Sequence, residues 1–477
     1  MTLRPRPKHP ALAALLSFLF PGLGQAYAGQ RRLALVFAAP VLLLVLAVVA
    51  VATLFAAQLR NELLSSSFLV GAIVLDLGLM AWRLASIGQA GLAIGLAAEG
   101  PSAHPHVAQA RRAGSLTIVA LLLVTTIGMH AWAGLVIGRI DATLADVFTE
   151  GIASPGGGGP LNRPEYRWDG TQRVTFLLLG IDAGENRQEA LTDTILAVSI
   201  DPVARTAVMV SVPRDTGFVP LPDRSVYPDG VYPLKINQLS TEAQQDPATW
   251  CPDLPASTTV CGLRTLERAI GLYLGLPIQY FATVDLQGFA DLIDAVGGVR
   301  LCLDGELVDP EYSGPTWPGR GITLPAGCTQ YDGVHALAYS RIRKGWLQRP
   351  DGTRETQNDF KRADRQQQVL LQLRAKFAQA DLVFALPRIL QAVSETVHTD
   401  FPRSKAGDLA SLLPLITGPH IERVVLGYPG FVDLPQNPDV NYLLTPRREA
   451  VRAEMQRLFG SGLQGWYLGG QADGPPS

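Results

Sequence analysis

Charged residues are scarce in this chain: they make up 17% of its 477 positions, and 40 lysines and arginines nearly cancel 42 aspartates and glutamates. A formal charge of −2 singles out no partner, and no basic run reads as a nucleic-acid arm. A GxxxxGK[ST] loop is missing, which disfavours nucleotide hydrolysis of the P-loop kind. So are a GxSxG elbow and an SxxK pair, which weakens the case for a serine hydrolase or a transpeptidase. The four cysteines include no CxxC pair, so an ordinary zinc ribbon is not indicated. No internal repeat is visible.

What is abundant is apolar. Hydrophobic residues make up 47% of the chain, and from about 10 to 140 they form long charge-free stretches that suggest immersion in lipid. The run 33–57 exceeds the roughly 20 residues that a helix needs to cross a bilayer. Two more runs qualify, about 68–82, with an extension to 92 left open, and about 116–137. The stretch 11–28 is apolar too, but Pro21, Gly22 and Gly24 interrupt it, which suggests a re-entrant or hairpin element and leaves a fourth span open. Arg4, Arg6, Lys8, Arg31 and Arg32 precede the first sure span, and Arg111 and Arg112 precede the last, so these flanks read as cytoplasmic and everything beyond about 140 as outside. No small-residue cleavage site suggests removal of a signal peptide, and a retained multi-pass membrane anchor is expected.

All four cysteines fall in the outside half, where an even number fits disulfides; the preferred pairing is Cys251 with Cys261 and Cys302 with Cys328. The organisation expected is an anchor over 1–140, a Gly/Pro-rich linker over 141–170 centred on the glycines 156–159, an extracytoplasmic domain over 171–462, and a disordered tail over 463–477. Bulky β-prone runs at 174–179, 195–200 and 206–212 alternate further on with helical periodicity at 263–274, 286–296, 334–341 and 359–378, and with strands near 280–284 and 299–303. Later helices are expected near 384–397, 406–416 and 446–459, with a strand around 423–426. The fold class is α/β, a mixed central sheet flanked by helices, preceded by a helical transmembrane region.

Polar clusters sit at the ends of these strands, where ligand sites of α/β sheets lie. Asp182 and Asp193 stand at the mouths of neighbouring strands and suit a hard ion such as Mg²⁺, though turn capping explains either alone. Arg214 and Asp215 follow directly on the third strand; a guanidinium there fits phosphate oxygens, and a local ion pair is the plainer account. Lys235 and Asn237 add a cation and an amide in a stretch otherwise rich in turn residues. Arg341 and Arg343 precede a charged helix on which Asp359, Arg362 and Gln366 share one face, with Arg365 displaced from it; a solvated face is the rival reading. Together these residues are the inventory of a pyrophosphate site.

The ordered series Leu-Gly-Ile-Asp182, Thr-Asp193-Thr, Ser-Val-Pro-Arg214-Asp215, Lys235-Ile-Asn237, Asp294-Ala-Val-Gly-Gly298, Ala-Tyr-Ser-Arg341-Ile-Arg343 and Asp359-Phe-Lys-Arg362-Ala-Asp-Arg365-Gln366-Gln resembles the LytR-CpsA-Psr domain, over about 173–378. The resemblance implies a sandwich with a hydrophobic tunnel for a polyprenyl tail and a basic mouth for its pyrophosphate. It implies transfer of a glycopolymer from a polyprenyl-pyrophosphate carrier to a cell-wall acceptor polymer, with peptidoglycan the expected acceptor and Mg²⁺ assisting. Carried over by motif, Asp182 and Asp193 would hold Mg²⁺, and Arg214, Arg341, Arg343, Arg362 and Gln366 would grip phosphates. Asp215 and Asp359 would orient the arginines, while Lys235, Asn237 and Arg365 would complete the mouth.

Three features depart from that pattern. Leu191 stands where an arginine is common, which leaves Arg187 as a substitute; a charged insertion occupies 344–358; and there are at least three spans where one is usual. The stretch Pro21-Gly-Leu-Gly-Gln25-Ala-Tyr27 resembles small two-helix membrane domains. Two rival readings remain, a polyprenyl-pyrophosphate pyrophosphatase using the same site and a non-catalytic sensor of polyprenyl lipids; paired Asp182 and Asp193 favour catalysis, since a passive carrier has little use for a metal.

Overall fold

The computed structural model describes residues 9–55, 62–97, 105–148, 168, 170–182, 191–252, 258–314, 316–377, 386–405, 407–408, 420–437 and 442–460. The linker glycines 156–159, Arg187, most of the helix expected at 406–416 and the tail lie outside them. The chain divides into two compact units, Met1–Ala142 and Thr143–Ser477, which are taken separately.

Among the described residues three helices are long and apolar enough to cross a membrane, α3 (Arg31–Leu54), α4 (Ser66–Ala97) and α5 (Pro105–Val147), the last of which begins in the first unit and ends in the second. The second of the expected spans thus extends through Leu92. The stretch 11–28 forms α1 (Pro10–Leu19) and α2 (Leu23–Ala28). At 10 residues α1 reaches only about 15 Å, half of a hydrocarbon core, so it is no fourth span. The break runs from Phe20 through Pro21 to Gly22, whose φ of +100° is left-handed. Gly24 lets α2 lie directly on α1, because a Cβ there would come within 2.0 Å of the Ala13 carbonyl oxygen. Gln25 is fully buried; it accepts from Ser17 Oγ (3.0 Å) and donates to the Ser86 carbonyl (2.9 Å), fastening the α1–α2 hairpin to α4. An apolar surrounding makes such pairing obligatory.

The second unit is built on a six-stranded mixed sheet of β1 (Val174–Asp182), β2 (Leu191–Asp201), β3 (Thr206–Ser211), β4 (Tyr280–Asp285), β5 (Val397–Thr399) and β6 (Ile421–Val425), in the order β5-β4-β1-β2-β3-β6. β1 runs parallel to β4 and antiparallel to β2, and β3 is parallel to β6. Side chains alternate between faces along each strand. Leu177, Leu179, Ile195, Ala197 and Val210 share one face with α6 (Ile236–Gln245) and α7 (Thr258–Leu274). Opposite them, Leu178, Gly180, Thr194 and Leu196 look towards α8 (Leu286–Ala295), α9 (Gly333–Arg341) and α10 (Asp359–Phe377). The expected flanked sheet is thus a three-layer sandwich with two cores.

Two segments differ from expectation. Residues from Ile236 onward form helix α6, not turns, because Ile236, Leu239 and Ala243 recur on one face and are buried. The charged insertion is a hairpin, Trp346–Gln348 against Arg354–Thr356, that joins Glu306–Asp309 and Ile322–Leu324 in a four-stranded sheet. Disulfides link Cys251 to Cys261 and Cys302 to Cys328, the latter directly across paired strands.

Candidate active site

The C-terminal ends of β1, β3 and β4 and the start of β2 meet at one end of the sheet. There the β1–β2 ladder is irregular: Gly180 pairs with Thr194 and Ile181 with Thr192, so Asp193 is the extra residue of a bulge. The extra residue reverses the alternation. Thr192 donates to the Asn237 carbonyl of α6 (3.2 Å) on one face, while Thr194 lines a cavity on the other. Asp193 is set at the junction, and Asp182, opposite Leu191, ends β1 beside it; the side chain of Asp182 lies outside the described residues.

Asp193 Oδ1 accepts a hydrogen bond from Arg214 Nη1. Arg214 enters at the end of β3, with its Nε 3.8 Å from Asp359 Oδ1 and 3.9 Å from Asp215 Oδ2. Each of those carboxylates has a second cation: Lys235 Nζ lies 2.8 Å from Asp215, and Arg362 Nη2 lies 2.9 Å from Asp359. Arg362 also donates to the Asp193 carbonyl (3.2 Å). Three carboxylates and three cations thus alternate in one network, and each holds the next in position. Burial disfavours the charge on Arg214, but Asp193, Asp359 and Asp215 outweigh it and leave its pKa above the ordinary arginine value. Burial wins at Arg362, whose pKa is lowered despite Asp359, with Arg214 adding like-charge repulsion.

Two cavities join at this network. One is an apolar slot of about 90 Å³ lined by Leu178, Leu196, Phe289, Leu337, Leu370 and Gln366 among others. The second, a polar bowl of about 250 Å³, takes Arg214, Arg343, Lys344, Asp309, Glu311 and Tyr312 into its wall. Asp193, Arg341 and Arg362 line both. Gln366 Nε2 donates to the Ser340 carbonyl (3.3 Å) at the slot. Lys235 stands just before α6 with its Nζ 6.0 Å from the centre of the Tyr442 ring, and Asn237 is buried with its Oδ1 unpaired.

Arg365 lies elsewhere. Its Nε donates to the Tyr339 carbonyl (2.8 Å), and its terminal nitrogens bind Gln357 Oε1 and the Ile342 carbonyl. All of this is buried, which pulls its pKa down to about 10; it lines neither cavity and stitches α10 to the end of α9. Sequence reasoning did not single out Asp309, Glu311 or Lys344. Asp309 is 3% exposed, and burial raises its carboxyl above the usual range, partly offset by the Glu311 and Lys344 backbone N–H groups. Unlike Asp215 and Asp359, it forms no ion pair among the described residues.

The sequence model of the LytR_cpsA_psr family matches residues 161–449. The polyisoprenyl-teichoic acid–peptidoglycan teichoic acid transferase TagV of Bacillus subtilis (strain 168) is 27% identical over 286 residues, 59% of this chain and 63% of its own length. A transferase of the same description, TagU of Enterococcus faecalis (strain ATCC 700802 / V583), is 26% identical over 47% of this chain and 61% of its own. This chain therefore spans just under two thirds of these relatives. The crystal structure of B. subtilis TagV superimposes with a TM-score of 0.44 at 24% identity, covering 60% of this chain and 97% of that one.

Proposed function

This chain belongs to the LytR_cpsA_psr family, and we propose that it is a membrane-anchored transferase moving a glycopolymer phosphate from a polyprenyl-pyrophosphate carrier to a cell-wall acceptor polymer. The observation that carries this reading is the meeting of an apolar slot with a polar bowl at Asp193, Arg341 and Arg362. A molecule that is apolar on one side of a pyrophosphate and hydrophilic on the other matches that junction. The slot is narrower than the several hundred Å³ of a common ligand pocket, so a lipid tail enters by displacing Phe289, Leu337 and Leu370.

Arg341, Arg343 and Arg362 bind the phosphates, and Arg214, held by Asp193, Asp215 and Asp359, keeps the mouth positively charged. Lys235 and Asn237 brace that wall from α6. The acceptor hydroxyl attacks the glycan-side phosphorus, the bridging P–O bond breaks, and polyprenyl phosphate leaves. Asp309 takes the hydroxyl proton, since burial raises its carboxyl above the usual range and it forms no ion pair among the described residues, whereas Asp215 and Asp359 are each held by cations. The hard oxygen donors Asp182 and Asp193 suit Mg²⁺, and the bulge directs Asp193 into both cavities. A bound Mg²⁺ would supply charge neutralisation at the pyrophosphate. The outer unit faces away from the cytoplasm, which agrees with its disulfides and with the basic residues before α3 and within α5.

The test uses the full chain in detergent with a polyprenyl-pyrophosphoryl glycan and acceptor glycan, with and without Mg²⁺. Metal-dependent polymer transfer, lost in Asp193→Ala and Arg214→Ala, supports the transferase. Phosphate release without transfer would make it a pyrophosphatase, and tight lipid binding without turnover would leave a sensor.

A further inference from the structure

The membrane unit carries ionisable side chains of its own. Asp76 and Arg83 lie two turns apart on α4, and His130 lies near the middle of the apolar part of α5. Such residues are costly inside a bilayer and are kept there for a partner or a ligand. His130 Nδ1 is 2.7 Å from Asp76 Oδ1, so these two satisfy each other, while His130 Nε2 is buried without a partner. Arg83 donates through Nη2 to the Phe18 carbonyl (2.7 Å) and lies over the Phe18 ring, but its Nε is also unpaired and it forms no ion pair among the described residues.

Both orphaned nitrogens belong to side chains lining one groove of about 780 Å³ between α4 and α5. That volume falls within the range of small-molecule pockets. Thr125 adds a hydroxyl, Gly128 leaves the space open, and Met129 and Trp132, each more than half exposed, form its apolar rim. An unneutralised guanidinium, a second open nitrogen and an apolar rim together describe a receptor for an anion with a hydrocarbon tail.

We propose that this groove binds the phosphate headgroup of an anionic membrane lipid. Arg83 is the principal cation. Asp76 lines the same groove, but its Oδ1 is held by His130 Nδ1, and a protonated His130 offsets its charge and leaves Arg83 as the net attraction. His130 presents Nε2 as a donor when the ring is protonated, or as an acceptor for a P–OH when it is neutral. Phosphate-bearing lipids of two sources share this chemistry, bulk phospholipids such as phosphatidylglycerol and a polyprenyl phosphate. The inference does not depend on the outer unit being a transferase.

The experiment is lipid retention by the full chain, measured by native mass spectrometry after exposure to phosphatidylglycerol, polyprenyl phosphate or zwitterionic phosphatidylcholine. At least one phosphate lipid should be retained about tenfold or more above phosphatidylcholine, the worth of one lost charged hydrogen bond. Arg83→Gln should abolish the excess, Arg83→Lys should keep most of it, and Arg139→Gln, at an exposed site on the same helix as His130, should keep all of it. Whichever anionic lipid is preferred identifies the source. Equal retention of all three lipids, or of the anionic lipids by wild type and Arg83→Gln, overturns the proposal. So does equal loss in the Lys and Gln variants, which would mean that Arg83 merely props Phe18. Because retention is read without turnover, failure here leaves the outer active site untouched.

Discussion

Arg214 touches three carboxylates, yet its replacement by glutamine should strand only one of them. Asp215 keeps Lys235 at 2.8 Å, and Asp359 keeps Arg362 at 2.9 Å. Asp193, its side chain 12% exposed, has no other ion pair among the described residues. The cost is therefore that of one uncompensated, mostly buried carboxylate, about 3 kcal/mol, not three times as much. In a unit of this size that lowers the melting temperature by roughly 5 °C. Adding Asp193→Asn in the Arg214→Gln background removes the stranded charge and should restore about half of the loss. The assay is thermal unfolding of both single variants and the double variant by near-ultraviolet circular dichroism, in chelator. Mg²⁺ added to Arg214→Gln should raise its melting temperature, because the ion replaces the missing positive charge. Strict additivity of the two substitutions, within about 0.5 kcal/mol, would refute the pairing logic.

Arg365→Lys should cost about 3 kcal/mol in unfolding measurements, since one ammonium cannot serve the three acceptors now held, but lipid-substrate KM should stay near wild type. Asp309→Asn should lower kcat by about 10²-fold or more and remove an acid limb from the pH–rate profile; a base with a raised pKa loses activity as pH falls through that value, so the wild-type limb should lie above the ordinary 3.8. An unchanged limb in the variant would assign the proton to another group. Arg264 faces two fully buried carboxylates, Glu267 and Asp400, each at 2.9 Å, and burial raises both. A carboxyl whose pKa is raised on folding binds more proton in the native state, so this network should cost stability progressively as pH rises above about 4.5, and Glu267→Gln should flatten the slope of stability against pH.

The elements with strong periodicity were legible in the sequence: β-prone runs gave β1 to β3, and the stripe of Asp359, Arg362 and Gln366 separated those side chains from Arg365, which the structure turns elsewhere. Helix α6 was obscured because Asn237, Ser240 and Thr241 are weak helix formers, although Ile236, Leu239 and Ala243 carried the pattern. The bowl wall of Asp309, Glu311 and Lys344 was invisible for another reason. Its residues converge only when the insertion hairpin pairs with Glu306–Asp309, and no local pattern encodes that pairing. The bulge at Asp193 was equally hidden, since neither glycine nor proline marks it.

That bulge gives Asp193 a role in the path of the strand as well as in charge. With it present, Thr192 serves the α6 side of the sheet and Thr194 the slot. Loss of a single codon here would differ in kind from substitution. Asp193→Ala silences a carboxylate and leaves the bulge in place, whereas deletion of Asp193 would close the bulge into a regular ladder in which Thr192 still faces α6 and Thr194 still faces the slot, so that the bend and the carboxylate are lost together. A chain that lacked this one codon should therefore keep both threonines in their places and lose only the bend and its charge.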